Sequence, residues 1–377
     1  MTQTPPTDNR RRIALVTTEL GVGGAEQCLT QIALRLPADR FQTSVISLAP
    51  PPAPPRDLLV RRLAEAGVET RFVGVSRRRQ LWTALRTLES WFREERPDLV
   101  QSFLFHANVV CGHAVRRAGV RRWVTGWRVA DPRLWRPRLE RFLTRRADRV
   151  ACVSQRVARQ AQSVGVDSNR IVVIPNGVDV ARFAAAAPVE TSALGVAPGR
   201  KVLLSIGRLD LQKGFDWLLE QMPRLLSQLP DHDWVVVGEG PQRESLEQQA
   251  MKLGVARRVH WVGWQPDTAR LLAAASLVLL PSRWEGMPNV LLEAMASGLE
   301  VVATRVEGVT ELLGDEAEAQ SAELGDEEGF AARVLERAGA PQGERGEANR
   351  RRVAAHFSLD GMIHAYARLY DELLAVP

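Results

Sequence analysis

The chain has 377 residues, 45% of them apolar, which exceeds one ordinary core and fits two domains of typical size. Its net charge of +6 conceals a split: residues 1–178 carry 30 Arg, no Lys and 15 acidic side chains, a balance of +15, and the remainder has a balance of −9. The start MTQTPPTDNRRR lacks the apolar core of a signal peptide, no apolar run approaches the roughly 20 residues that span a bilayer, and Cys28, Cys111 and Cys152 lack disulfide or metal spacing; together these predict a cytosolic protein.

In chain order, the short apolar run Ile13 to Thr17 reads as a strand, GVGG at Gly21 to Gly24 as a turn, and AEQCLTQIALRL as a helix. FQTSVISL, a proline-rich surface loop, a helix near Asp57 to Ala66 and the strand TRFVGV follow. DLVQSF, RWVT and RVACVS continue the strands with helices between them, and RIVVIPNGVD closes the first half. The second half restarts with KVLLSIGRLD and the helix FDWLLEQMPRLLSQL. WVVVGEGP, RVHWVGW, LVLLPS and EVVATRV are further strands, each leading into a helix or turn. Such alternation predicts an α/β protein with two parallel, doubly wound sheets. The predicted domains are 1–178 and 179–355, with 356–377 as a final helix packing back on one of them, the first being the expected host. An acidic segment runs from Glu311 to Glu328.

Ligands of open parallel sheets bind beyond the carboxyl ends of the strands. GVGG, GRLDLQKG, GEGP and the stretch Ser282 to Gly298 (SRWEGMPNVLLEAMASG) all fall there. In that last stretch Pro288 suits the first turn of a helix, Leu291, Leu292 and Met295 give it an apolar side, and Gly298 suits its end. The N–H groups of Asn289 and Val290 then offer an anion site, with Glu285 just before the helix and Glu293 inside it available for sugar hydroxyls.

The run SIGRLDLQKG, VVVGEGP, VGW, LVLLPSRWEGMPNVLLEAMASG and VVATRVEGV resembles the carboxyl-terminal domain of the family 4 retaining glycosyltransferases. GGAE, LFHAN and IPNGVD extend the resemblance over nearly the whole chain. It implies the GT-B fold, two facing Rossmann-like domains with a cleft between them, the first holding the acceptor and the second a nucleoside-diphosphate sugar. By resemblance, Arg208 and Lys213 hold the donor diphosphate, Glu285 faces the donor sugar, and Glu293 accepts hydrogen bonds from the ribose. Fixed cations suit this chemistry, because breaking a glycosyl–phosphate bond develops negative charge on the leaving oxygen. Gly23 and Gly24 match the family's glycine loop, and Gly207, Gly286, Met287, Pro288, Asn289 and Val290 complete the implied donor wall. Backbone groups of Val262 and Gly263 are placed near the base. The resemblance further implies front-face displacement without a covalent intermediate, so Glu285 is not read as a nucleophile.

Each assignment has a purely structural counterpart: surface cations for Arg208 and Lys213, a dipole partner for Glu285, a solvated helix face for Glu293, and an ordinary turn for GVGG. In place of the His that many members carry after the strand near RWVTGW, this chain has Trp127 and Arg128, and Arg128 cannot act as a base. His106 is the other acceptor-side candidate. Asp231 and Asp233 precede a strand, which predicts a turn, and neither a metal nor another cofactor is expected. Glu300 stands where the family usually has Pro and receives no function. The alternatives are a non-catalytic nucleotide- or sugar-binding scaffold of the same fold and a sugar-nucleotide epimerase.

The expected partners are a nucleotide sugar and a saccharide or lipid-linked acceptor, in cell-surface glycan synthesis, without nucleic acid. From Arg133 to Arg149, Trp135, Leu139, Phe142 and Leu143 recur at helical spacing among arginines. One reading lays this helix on an anionic membrane; the reading favoured for its apolar face packs those same residues on the sheet.

Overall fold

The computed structural model describes residues 9–75, 80–129, 135–306, 308–340 and 343–375. Two compact units share the chain: Met1–Pro175 with Met362–Pro377, and Asn176–Gly361.

In the first unit β1 (Arg11–Thr17), α1 (Gly24–Arg35), β2 (Phe41–Ser47), α2 (Leu58–Glu65), β3 (Glu69–Phe72), α3 (Leu81–Glu95), β4 (Leu99–Phe103), α4 (Phe105–Ala118), β5 (Arg122–Trp127), α5 (Trp135–Thr144), β6 (Arg149–Cys152), α6 (Gln155–Ser163) and β7 (Ile171–Val173) alternate. The seven strands pair in the order β3-β2-β1-β4-β5-β6-β7, all parallel. Parallel strands buried on both faces need long apolar runs, and all five residues of β4 are buried. Right-handed crossovers put α1 and α2 on one face and α3 to α6 on the other, where successive helices touch.

The second unit contains α7 (Val180–Ala184), β8 (Lys201–Ile206), α8 (Phe215–Gln228), β9 (His232–Val237), α9 (Arg243–Lys252), β10 (Val259–Gly263), α10 (Thr268–Ala273), β11 (Leu277–Leu280), α11 (Asn289–Ala296), β12 (Val301–Thr304), α12 (Val309–Leu313), α13 (Ala317–Gln320), β13 (Ser321–Ala322), α14 (Glu327–Gly339) and α15 (Glu344–His356). Its parallel strands run β10-β9-β8-β11-β12-β13. Trp234 lies at the centre of this core among Leu203, Phe215 and Leu279. Its indole N–H donates to Ser205 Oγ at 3.0 Å, and that hydroxyl donates to the Leu279 carbonyl at 2.9 Å, so a buried polar edge is satisfied inside the sheet.

The last helix, α16 (Leu359–Ala375), starts in the second unit and enters the first at Met362. Tyr366 and Tyr370 are buried, Tyr370 Oη lies 3.1 Å from Gln101 Oε1 of β4, and Arg122 Nε donates to the Leu373 carbonyl at 2.7 Å.

The boundary lies three residues ahead of the expected 178. Asn176 already belongs to the second unit, because its side-chain amide donates to Asn289 Oδ1 at 2.6 Å and to the Met287 carbonyl at 3.3 Å. The second unit also runs past 355, since Val178 bridges to Ser358. The acidic segment is ordered as α12, α13, the edge strand β13 and the start of α14. Asp231 occupies a turn, but His232 and Asp233 open β9. Asp233 takes Arg200 at 2.7 Å and His260 at 2.9 Å, which makes it a clamp across strand starts. Glu300 is buried against Arg337 at 3.3 Å and Arg345 at 3.7 Å, joining the start of β12 to α14 and α15.

Candidate active site

Strand order alone selects two places for a ligand. In each sheet the chain reverses its winding direction beside the first strand, so consecutive loops diverge between β1 and β4 and between β8 and β11. Such a switch point opens a crevice at the carboxyl ends of the two strands.

In the second unit this crevice is flanked by the loops after β8 and β11. They approach so closely that a Cβ on Gly214, at φ +68°, would overlap the Pro281 carbonyl. Arg283 N donates to the Gln212 carbonyl at 2.7 Å, Gln212 Nε2 to the Trp284 carbonyl at 3.0 Å, and the Arg283 guanidinium forks onto Asp216 at 2.7 and 2.9 Å. These bonds bring together two side chains 72 positions apart: Lys213 Nζ lies 2.5 Å from Glu285 Oε1. Glu285 is buried and Lys213 largely so, and the same carboxylate oxygen accepts from Ser282 Oγ at 2.8 Å. Ser282 is itself fully buried, its carbonyl taken by Thr304 Oγ1. The pair is thus held from behind and keeps a paired charge out of bulk water.

Arg208 stands on the same loop after Gly207, exposed, with Nε 2.5 Å from Asp210 Oδ2. Gly286, Met287 and Pro288 are buried in the β11–α11 loop, and Gly308, at φ +78°, admits the Gly286 carbonyl where a Cβ would overlap it. The first intrahelical bonds of α11 run from Leu291 and Leu292 to the Pro288 carbonyl, leaving the N–H groups of Asn289 and Val290 ahead of the ladder at the positive helix end. Asn289 is at the same time gripped by Asn176. At the far sheet edge Gly238 N donates to the Gly263 carbonyl at 2.8 Å and Gln265 Nε2 to the Val262 carbonyl at 3.3 Å, so both carbonyls expected near a base are internally engaged.

Glu293 lies where α11 meets α7 and α10. Burial pushes its carboxyl up to about 7, against a hydrogen bond from Thr268 and the positive charge of Arg182, which both favour ionisation.

In the first unit the switch point is flanked by Gly23 and Gly24 after β1 and by His106 after β4. The Glu26 carboxylate folds back over Gly23, where a Cβ would overlap it. The first turn of α1 therefore carries its own acid. Leu104 turns the chain from β4 into α4 at φ +70°, a conformation costly for a branched side chain, and His106 is exposed on that first turn against Phe105 at 5.4 Å. Arg128, read from the sequence as a ligand contact, is only 8% exposed. Its partners are the Cys28 thiol, the Tyr366 hydroxyl and Glu26, and it lies 5.9 Å from the Phe103 ring centroid.

Sequence reasoning missed Ser282, Asn176 and the Arg283–Asp216 fork. Only Ser282 had a readable signal, three residues ahead of Glu285 in SRWE.

Two doubly wound parallel sheets, each with a crevice at its switch point, are the architecture of GT-B proteins. The family described as Glycosyltransferase Family 4 matches residues 22–182, and that described as Glycosyl transferases group 1 matches residues 200–338. The lipopolysaccharide core biosynthesis glycosyltransferase LpsE of Rhizobium meliloti is 29% identical over 82% of this chain and 93% of its own. The UDP-Gal:alpha-D-GlcNAc-diphosphoundecaprenol alpha-1,3-galactosyltransferase of Escherichia coli is 32% identical over 44% of each chain. Among solved structures, Anabaena HepE in complex with UDP and glucose superposes with a TM-score of 0.82 at 21% identity, covering 96% of this chain and 100% of that one. The lipopolysaccharide outer core galactosyltransferase WaaB gives 0.70 at 16% identity, covering 96% and 99% of the two chains. The chain belongs to the family 4-type glycosyltransferases with the GT-B fold, and it is a glycosyltransferase enzyme.

Proposed function

We propose that this enzyme moves a hexose from a nucleoside-diphosphate sugar, with retention of configuration, to a hydroxyl of a saccharide or lipid-linked saccharide in the synthesis of a cell-surface glycan. The observation that carries the reading is the Lys213–Glu285 pair at the switch point of the second sheet. The relatives named for lipopolysaccharide core synthesis and for UDP-Gal support the acceptor and donor classes, with UDP as the favoured nucleotide.

In this reading the donor diphosphate enters at the N-terminus of α11 and takes Lys213 and Arg208 from their carboxylate partners. Both cations then face the oxygen on which charge grows as the glycosyl bond breaks. Glu285, still fixed by Ser282, is released toward the hydroxyls of the hexose, and Glu293 in its ionised form accepts from the ribose. The acceptor hydroxyl attacks from the face the phosphate leaves, and the leaving phosphate oxygen takes its proton. Gly23 and Gly24 are read as donor-binding, and His106 belongs to the acceptor side. Arg128 supports that side through Glu26 and α1. Lys213 and Arg208 supply the charge that a divalent ion would otherwise carry, so turnover is expected to persist in EDTA.

The test is incubation of the purified protein with UDP-, GDP- and ADP-sugars, following nucleoside diphosphate release and the anomeric configuration of the product. Retained configuration and a loss of at least a hundredfold in Lys213→Ala are expected. No turnover with any donor or acceptor, together with nucleotide binding indifferent to Lys213→Ala and Glu285→Ala, would make the protein a non-catalytic scaffold.

A further inference from the structure

Helix α5 is turned inside out. A surface helix normally buries its apolar stripe and exposes its charges. Here Trp135, Leu139 and Phe142, spaced i, i+4, i+7 on one face, are 59%, 40% and 59% exposed, and the buried residues are Pro137, Glu140 and Thr144. The expectation that Trp135, Leu139, Phe142 and Leu143 pack on the sheet is overturned for the first three, while Leu143 is half-buried, for a reason visible beneath the helix.

The inverted face is held by a buried polar network. Asn108 of α4, with no exposed surface, donates through Nδ2 to Glu140 Oε1 at 2.5 Å and to the Gly126 carbonyl at 3.0 Å. Its Oδ1 accepts from Ser102 Oγ at 2.7 Å, and Ser102 Oγ in turn accepts from Trp123 Nε1 at 3.1 Å. Thr144 Oγ1 closes onto the Glu140 carbonyl at 2.7 Å, and Arg141 Nε donates to the Gly165 carbonyl of the next loop at 2.8 Å. Rotating α5 to hide its apolar stripe would strip Asn108 and Glu140 of each other inside the unit, a penalty that opposes the rotation. The fold therefore presents the stripe as a fixed feature.

Its surroundings specify what would cover it. From 135 to 146 every exposed charged side chain is an arginine: Arg138, Arg141, Arg145 and Arg146. The one acid, Glu140, points inward. The Arg145 guanidinium lies over the Phe142 ring at 4.7 Å, and Arg156 and Arg159 of the adjoining α6 are exposed as well. Trp82, also strongly exposed, stands on the first turn of α3 in the same helix layer; α3 and α5 both leave the carboxyl edge of a parallel sheet, so these first turns share one edge. An aromatic and leucine stripe rimmed by arginines is the chemistry of a helix lying in the headgroup region of an anionic bilayer: rings enter the acyl boundary and guanidinium groups meet lipid phosphates.

We infer that α5 is a preformed interfacial helix that docks the first unit on an anionic lipid surface through Trp135, Leu139 and Phe142, with Arg138, Arg141, Arg145 and Arg146 as its charged rim. The inference is independent of the sugar chemistry of the second unit.

Co-sedimentation of the full chain with vesicles of phosphatidylcholine, alone or mixed with phosphatidylglycerol, tests it. The wild type is expected to bind the mixed vesicles, to leave the neutral ones free, and to be released by salt. The double variant W135S/F142S should bind at least about tenfold more weakly, and each of Arg138→Ser and Arg145→Ser about fivefold more weakly. All of these positions are exposed, so unchanged melting temperatures confirm that the fold is intact. Binding unaffected by W135S/F142S, equal binding to neutral vesicles, or no binding to either would overturn the inference. So would a wild-type dimer in vesicle-free solution that W135S/F142S converts to monomer, because the stripe would then belong to a second copy of the chain.

Discussion

Replacing Glu293 by Gln separates what this carboxyl does for stability from what it does for the ligand. Burial raises its pKa from 4.5 to about 7, so the folded protein binds the proton more tightly than the unfolded chain does. With the folded value raised, stability is fully present below about 4.5, falls as pH rises through the window from 4.5 to about 7, and levels off above it. The shift is worth at most about 3 kcal/mol at pH 8, trimmed by the part of the side chain that reaches solvent. Gln keeps the volume and never ionises. E293Q should therefore melt with the wild type near pH 4.5 and above it at pH 8, by roughly 5–10 °C in a domain of this size. UDP affinity is expected to move the other way, about tenfold weaker at pH 8, because Gln offers one acceptor where the carboxylate offers two to the ribose hydroxyls. Differential scanning fluorimetry between pH 4.5 and 8.5, with and without UDP, reads both. A melting difference that does not grow with pH would refute the burial argument, and unchanged UDP affinity would remove Glu293 from the donor site.

Lys213→Ala should destabilise the fold by about 1–3 kcal/mol, since Glu285 stays buried without its cation. Adding Glu285→Gln should restore stability while turnover stays lost; a double-mutant cycle in urea checks the coupling. Ser282→Ala removes the second hold on Glu285 and is expected to lower kcat about tenfold with KM for the donor nearly unchanged. A KM effect alone would argue against positioning. Gly214→Ala meets both a left-handed backbone and the Pro281 carbonyl, so a loss above about 2 kcal/mol is expected in denaturant melts, and near-wild-type stability would show that the two loops can part.

The alternation of strands and helices was readable because parallel strands demand apolar runs and their carboxyl-end loops demand glycine. On that basis GRLDLQKG and SRWEGMPN were legible as loops beyond the carboxyl ends of β8 and β11. That Lys213 touches Glu285 was not readable: it follows from β8 and β11 being sheet neighbours, and strand order leaves no mark on either segment. The burial of Arg128 was not readable for a related reason. A position after a strand suggests a ligand edge, whereas α16, more than two hundred residues later, brings Tyr366 to bury that guanidinium. For α5 the periodicity was correct and its direction was not, because one hydrogen bond from Asn108 to Glu140 decides which face turns inward. The two-residue β13 is too short to carry any pattern.

The path of α16 sets the order in which the units can be completed during synthesis. Every residue of the second unit, Asn176–Gly361, is made before the part of α16 that fills the first unit from Met362 onward. The segment synthesised first must therefore wait, with Phe41, Gln101 and Cys28 lacking their partners Tyr370 and Met362. Domains generally fold as units when their residues are available, so the later unit finishes first. We expect a chain ended at Gly361 to keep UDP binding in its second unit while the first exchanges its amide hydrogens freely. Loss of both together would show that neither unit folds without the other.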